Sequence, residues 1–158
     1  MHYTVKQKIM AFGKQYRAFD AVGNQMFEVS SMLFSPERRK EVLDMSGTML
    51  AWSEWPVMSA RAELACGSTT LALEIPFMSH SPEWTGTDGS GNSVAVVGDF
   101  FRRSFTVSVG GVKVAAIEKR FLSFSDTYEL DVDESAFRPE FVMLIVAMID
   151  HKYHSDNG

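Results

Sequence analysis

The stretch Phe141-Val-Met-Leu-Ile-Val-Ala-Met-Ile149 is the one continuous apolar run of this length in the chain, and it comes after more than a hundred residues that read as short strands and turns. A helix that is apolar around its whole girth must be surrounded, and strands need a core to cover. One arrangement satisfies both: a sheet built by the rest of the chain wraps the final helix, with Phe141, Leu144, Ile145, Met148 and Ile149 at its centre. Arg138-Pro139-Glu140 opens the helix, because proline is accommodated in the first turn and glutamate suits the positive end of the dipole. Asp150 closes it against the dipole preference, which predicts that its carboxylate caps a neighbouring backbone or pairs with a basic residue. At 1.5 Å per residue the run spans only about 14 Å, against roughly 30 Å of bilayer hydrocarbon.

Working back from the helix, the chain alternates as strands do. Tyr128-Glu-Leu-Asp-Val132 reads as the last strand, and Phe105, Val107 and Val109 alternate with polar residues before the tight turn Gly110-Gly111. Val114 and Ile117 fall on opposite faces of a regular strand, which predicts a β-bulge near Ala115-Ala116. Asp20-Ala-Val-Gly23 and Asp44-Met-Ser-Gly47, each flanked by strand-forming residues, predict two hairpins: glycine supplies positive φ and aspartate accepts from the turn backbone. Alternation from Val57 to Leu64 and from Leu71 to Phe77 predicts two half-buried strands, and Pro76 places the second at a sheet edge or lies near that strand's end. Ser79–Ser93, with Pro82, Gly86, Gly89 and Gly91, reads as the one long loop. The N-terminus alternates from Met1 to Ile9 and reads as a strand rather than a secretion signal.

The chain has 158 residues and 46% hydrophobic content, sized for a single domain over 1–158 with a substantial core. A formal net charge of -5 repels a polyphosphate backbone and argues against nucleic acid as the principal partner. The lone Cys66 leaves no internal disulfide, which favours a cytoplasmic setting.

A set of residues then carries a resemblance. Tyr3 with Lys6-Gln-Lys8, the two Asp-x-x-Gly turns, Gly98-Asp-Phe100, Val114-Ala-x-Ile117-x-Lys119, Asp126-Thr-Tyr128-x-Leu-Asp131-Val, and the apolar helix ending in Ile149-Asp150 together resemble the LURP-one-related family, grouped with Tubby C-terminal domains and phospholipid scramblases. The resemblance is densest from Gly98 to Asp150. It implies a mainly β fold: a closed antiparallel barrel of about twelve strands around a buried C-terminal apolar helix.

Candidate chemistry is sparse. His151 and His154, at i and i+3 beside Asp150 and Asp156, have the spacing of two metal ligands, but a zinc site takes three or four, so an exposed polar tail is the plainer reading. His80 has no neighbour in sequence that would make it a base. There is no Gly-x-Ser-x-Gly elbow, Cys66 lacks a thiol-nucleophile signature, and Gly86–Gly91 lacks the lysine of a phosphate loop. No cofactor and no metal site is expected. Asp131, Asp133 and Glu134 offer paired carboxylates or serve as solvation of the strand-to-helix corner.

The basic groups Arg38-Arg39-Lys40, Arg102-Arg103 and Lys119-Arg120, with Lys6, Lys8 and Lys14 near the start, are candidates for holding an anion, with solubility charge and strand-edge protection as the plainer alternative. No lysine–arginine lipid motif carries over from Tubby relatives. The expected function is therefore a non-enzymatic module that binds anionic lipid headgroups or an acidic protein partner on its outer surface, cytoplasmic with peripheral membrane attachment as an option. Two alternatives stand beside it: a small hydrolase using Asp131–Asp133 or His151–His154, and an oligomer anchored by exposed Trp52, Trp55 and Trp84.

Overall fold

The computed structural model describes residues 1–10, 13–32, 35–77, 82–122 and 125–154. Twelve strands run in chain order: β1 His2–Met10, β2 Gly13–Phe19, β3 Gln25–Met32, β4 Lys40–Leu43, β5 Met49–Glu54, β6 Arg61–Cys66, β7 Thr69–Glu74, β8 Glu83–Asp88, β9 Ser93–Gly98, β10 Ser104–Val109, β11 Val112–Leu122 and β12 Ser125–Val132; the helix α1, Pro139–Tyr153, follows them. Each strand pairs antiparallel with its chain neighbours, and β1 pairs with β12, so the sheet closes into a barrel.

Inward positions alternate along every wall. Tyr16 and Ala18 on β2, Val29 on β3, Val42 on β4, Leu71 and Leu73 on β7, and Tyr128, Leu130 and Val132 on β12 are all buried. They meet α1, in which every residue from Glu140 to Asp150 is buried. The helix occupies the space that a larger or emptier barrel would leave for ligand. Because the apolar residues encircle the helix, it has no solvent face between those limits.

The structure departs from the sequence reading at three places. Ser79–Ser93 is not one loop: β8 and the start of β9 lie within it, and residues 79–81, including His80, lie outside the described residues. The β8 sequence Glu-Trp-Thr-Gly-Thr-Asp shows little alternation, but it is hydrogen-bonded on both sides, and a Cβ at Gly86 would lie 1.7 Å from the Ala72 carbonyl oxygen. Glycine is there for close packing rather than flexibility. The strand expected from Val57 begins at Arg61, and Val57 and Met58 stand out in solvent. The bulge sits one residue earlier than expected: Val107 pairs with Ala115 and Ser108 with Lys113, leaving Val114 extra and turning it inward beside Ala115.

Successive antiparallel strands place all connections at two ends. Gly23, Gly47, Gly67, Gly91, Gly110 and Gly111, all at positive φ, lie in the turns at the end where α1 begins. The opposite end, where α1 finishes, carries residues 35–39, 55–60, 75–77 and 99–103 between strands. We refer to these as the helix-entry and helix-exit ends.

Leu144→Ala, in the middle of the plug, is expected to cost about 2–5 kcal/mol, because the rigid walls cannot collapse onto the space created. Urea denaturation followed by circular dichroism measures it.

Candidate functional site at the helix-exit end

The barrel lining changes character one layer before the helix-exit end. In the register Lys14–Ser31–Lys40–Ser53, running across β2 to β5, the side chains point to the same side as the apolar rows beneath them. Asp126 on β12 and Lys119 on β11 continue the layer, joined to each other at 3.3 Å.

At its centre stands Asp150, fully buried. Its carboxylate accepts from Tyr16 Oη at 2.6 Å and Tyr128 Oη at 2.7 Å, and pairs with Lys14 Nζ at 3.2 Å. The partner expected for this residue is thus a lysine assisted by two phenols. Burial and then the Asp150 charge hold both phenols well above the usual tyrosine range, so they remain donors. Asp126 is also pushed up, first by burial and then by Asp150, against the opposing pull of Lys119.

Lys40 is placed differently. It is 2% exposed, and its Nζ donates to Ser31 Oγ at 2.9 Å. Among the described residues it has no carboxylate in ion-pair contact. Burial, and then Arg38 and Lys14, lower its ammonium to about 8. Opposite it on β5, the buried Ser53 Oγ has no hydrogen-bond partner among the described residues.

Around this layer the helix end and the neighbouring turns add further cations. The Arg38 guanidinium stacks 4.0 Å from the Trp55 ring, Lys152 Nζ lies 5.7 Å from the same ring, and the His151 ring packs 6.1 Å away. Arg38 Nε also donates to the Trp55 carbonyl at 2.8 Å. Burial lowers the Lys152 ammonium, with Arg38 and Arg102 adding to the effect. Burial, then Lys40, Arg38 and Lys14, lowers His151 to about 4. Arg102 lies over Tyr153 at 5.3 Å with a buried Nε that has no partner among the described residues, and its carbonyl contacts His154 Nε2 at 2.7 Å. Cations that raise one another's cost of ionisation gain from an anion placed among them.

The backbone shows the same asymmetry. At the helix-entry end, positive φ falls on glycine; at the helix-exit end it falls on Arg38 (φ 47), Met58 (φ 67) and Arg102 (φ 56). The case of Arg102 is instructive. In Asp20–Gly23, Asp44–Gly47 and Asp88–Gly91 the fourth residue donates to the aspartate carbonyl at 3.0 to 3.1 Å, and the aspartate Oδ1 accepts from the residue after it at 2.9 Å. Asp99-Phe-Phe-Arg102 repeats this geometry, with Arg102 N donating to Asp99 O at 3.1 Å and Arg103 N to Oδ1 at 2.8 Å. It is the same turn with arginine where the others have glycine. A side chain kept at a cost of about 1–2 kcal/mol in left-handed backbone is one whose contacts repay it.

The residues singled out in sequence are only partly brought together. Arg38, Lys40, Arg102 and Lys119 share the helix-exit end; Arg39 turns to the outer wall, pairing with Glu54 at 2.9 Å and lying over Trp52. Arg103 lies over Phe101 at 5.8 Å, and Arg120 is exposed on the outer side of β11. A closed barrel has no edge strand, so edge protection does not account for any of them. Lys14, grouped with these cations in the sequence, joins them through Asp150, and Trp55 and Lys152, which were not among the sequence candidates for the site, complete the cluster.

Neither hydrolase constellation assembles. Asp131 pairs with His2 at 3.0 Å, Asp133 is bound by Ser135 in its own bend, and Glu134 accepts from Tyr3. His151 packs on Trp55 and His154 on Tyr128; Asp156 lies outside the described residues. Among the described residues no three of the types that ligate metals come together. Trp55 and Trp84 are buried and Trp52 is half-buried, so the exposed-anchor reading fails: the first two pack against each other at 6.5 Å, and Trp84 donates to Tyr153 Oη at 3.1 Å. Cys66 is a buried thiol raised by desolvation. Among the described residues, a groove of about 360 Å³ on the outer wall is lined by Trp52, Arg61, Glu63 and Ala72.

A family model for LURP-one-related proteins matches residues 1–150. The chain belongs to the LURP-one-related family. It is 27% identical over 131 residues to YxjI of Bacillus subtilis, covering 81% of this chain and 79% of that protein. The crystal structure of an Arabidopsis thaliana protein superimposes with a TM-score of 0.61 at 18% identity, covering 95% of this chain and 90% of that one, so the fold is shared. No helix among the described residues is long and apolar enough to cross a membrane.

Two predictions test the electrostatics. His151 takes up a proton near 6.5 when unfolded but only near 4 when folded, so its contribution to stability is lost as pH falls through that window. The imidazole resonances of His151 are expected not to shift between pH 7.5 and 5.5, and His151→Gln should flatten the acid-side decline in urea stability. Lys40→Met removes an ammonium held from 10.5 down to about 8, and should raise stability at pH 7 by about 1–2 kcal/mol after the loss of the Ser31 hydrogen bond.

Proposed function

We propose that the protein is a non-enzymatic binding module whose helix-exit end holds an anionic group, carried either on a lipid or on an acidic protein segment. The observation that supports this most directly is the gathering of Arg38, Lys152 and His151 around the Trp55 ring, with Lys40 buried in the adjoining layer. These groups come from two distant parts of the chain, and beyond burial the charge of Arg38 makes Lys40, His151 and Lys152 costlier to ionise. Such an arrangement sacrifices stability unless something negative occupies it part of the time.

The fold supports binding rather than turnover. With α1 filling the barrel, ligand contact falls to the surface and the ends. The overall charge of -5 makes a local basic end more selective, because the remainder of the surface turns anions away.

Titration with inorganic tripolyphosphate in a calorimeter tests the reading. Binding is expected to weaken as salt rises, and Arg38→Gln with Lys152→Gln should reduce affinity by about tenfold or more while leaving the circular dichroism spectrum unchanged. Binding with the same affinity in the double variant, or no binding at low salt, would overturn it.

A further inference from the structure

The helix-exit end is also where large apolar side chains stand out furthest in the company of cations. Phe100 is 82% exposed, Phe101 69%, Met58 84%, and Val57 and Phe77 are each 56% exposed. They come from three separate connections, after β5, β7 and β9, which the topology brings to one rim. Phe100 and Phe101 pack on each other edge to face at 5.3 Å and form the tip of the Asp99–Arg102 turn.

Burial in the core accounts for none of these positions. The other Asp-x-x-Gly turns carry Ala21-Val22, Met45-Ser46 and Gly89-Ser90 where this one carries two phenylalanines. Met58 sits at φ 67 in the turn closed by Ser59 N donating to Pro56 O at 3.0 Å, a place that favours glycine, yet its side chain extends into solvent. An exposed side chain held in costly backbone is of use to a partner, not to the fold.

Val22, Met45 and Val112 are exposed at the helix-entry end as well, but the charge there has the opposite sign. That rim carries the carboxylates of Asp20, Asp44, Asp88 and Asp133. At the helix-exit rim Asp99 and Glu37 are outnumbered by Arg38, Arg102, Arg103 and Lys152 around the apolar tips. Aromatic tips ringed by arginine and lysine match an anionic lipid–water interface, where the rings enter the acyl boundary and the cations meet the headgroups. An acidic protein would answer the cations but would leave two adjacent phenylalanines without a matching depth to enter.

Accordingly, and resting on the anion-binding reading of this end, we infer that the protein docks on anionic bilayers end-on through the helix-exit rim, with Phe100, Phe101 and Met58 inserted and Arg38, Arg102, Arg103 and Lys152 at headgroup level. The barrel axis then stands on the membrane and the acidic helix-entry end points away from it.

Co-sedimentation with vesicles of phosphatidylcholine alone, and with about one quarter phosphatidylserine, tests this. The intact chain should bind only the mixed vesicles, more weakly at high salt. Phe100→Ser with Phe101→Ser should reduce that binding by about tenfold or more while leaving tripolyphosphate affinity unchanged. Met58→Gly should weaken vesicle binding while raising or preserving thermal stability, an outcome that damage to the fold would not give. Vesicle binding unchanged in the phenylalanine variants would overturn insertion. Tripolyphosphate binding without any vesicle binding would overturn the membrane as partner and keep the anion-binding reading; if polyglutamate also bound, the partner would be an acidic protein. Loss of both would remove the two together.

Discussion

The constraint on which the rest depends is that a helix apolar on all sides has to be enclosed. Eleven consecutive buried residues, from Glu140 to Asp150, leave no face for solvent, and a closed sheet is the arrangement that meets them all around. Closure removes strand edges, fixes which side chains point inward, and fills the space in which other barrels hold ligand. What remains open to solvent is the outer wall and the two ends.

The two ends solve different problems. Where the helix begins, glycines accept left-handed backbone and aspartates cap tight turns, so the hairpins are made at little strain. Where it finishes, arginine and methionine occupy the same backbone region, a buried lysine lies against a serine, and the carboxylate of Asp150 is held by two tyrosines and a lysine. The Asp150 knot ties α1 to β2 and β12 and gives the cationic layer an internal counterion. The buried Lys40 beyond it has a serine rather than a carboxylate for its contact.

Much of the fold was legible because it rests on periodicity. The apolar run announced a buried helix, and Asp20–Gly23 and Asp44–Gly47 announced hairpins through residue types that few other contexts require. The strand β8 was not legible: only Trp84 faces deep into the core, and the remaining residues are held by hydrogen bonds from both neighbours that no local pattern encodes. The Asp99–Arg102 turn was hidden for a different reason, since arginine replaced the glycine that marks its siblings; the aspartate three residues earlier between two strands was the remaining signal. Of the site, the basic groups Arg38-Arg39-Lys40 and Arg102-Arg103 could be seen, but not that alternation would send Lys40 inward and Arg39 outward. Lys40 lies two residues before the buried Val42 on one strand, and that spacing carried the information. Lys152 and Trp55 join only through the position at which the helix stops, which depends on the whole barrel.

The order of elements along the chain bears on how the molecule is made. All twelve strands precede α1, so during synthesis the walls leave the ribosome before the segment they must surround exists outside it. Nascent sheets with unfilled interiors expose apolar faces and unpaired edges, and β1 must wait for β12, the last strand, before the ring can seal. The barrel therefore cannot seal before its last strand and its plug have both emerged, and the two arrive together.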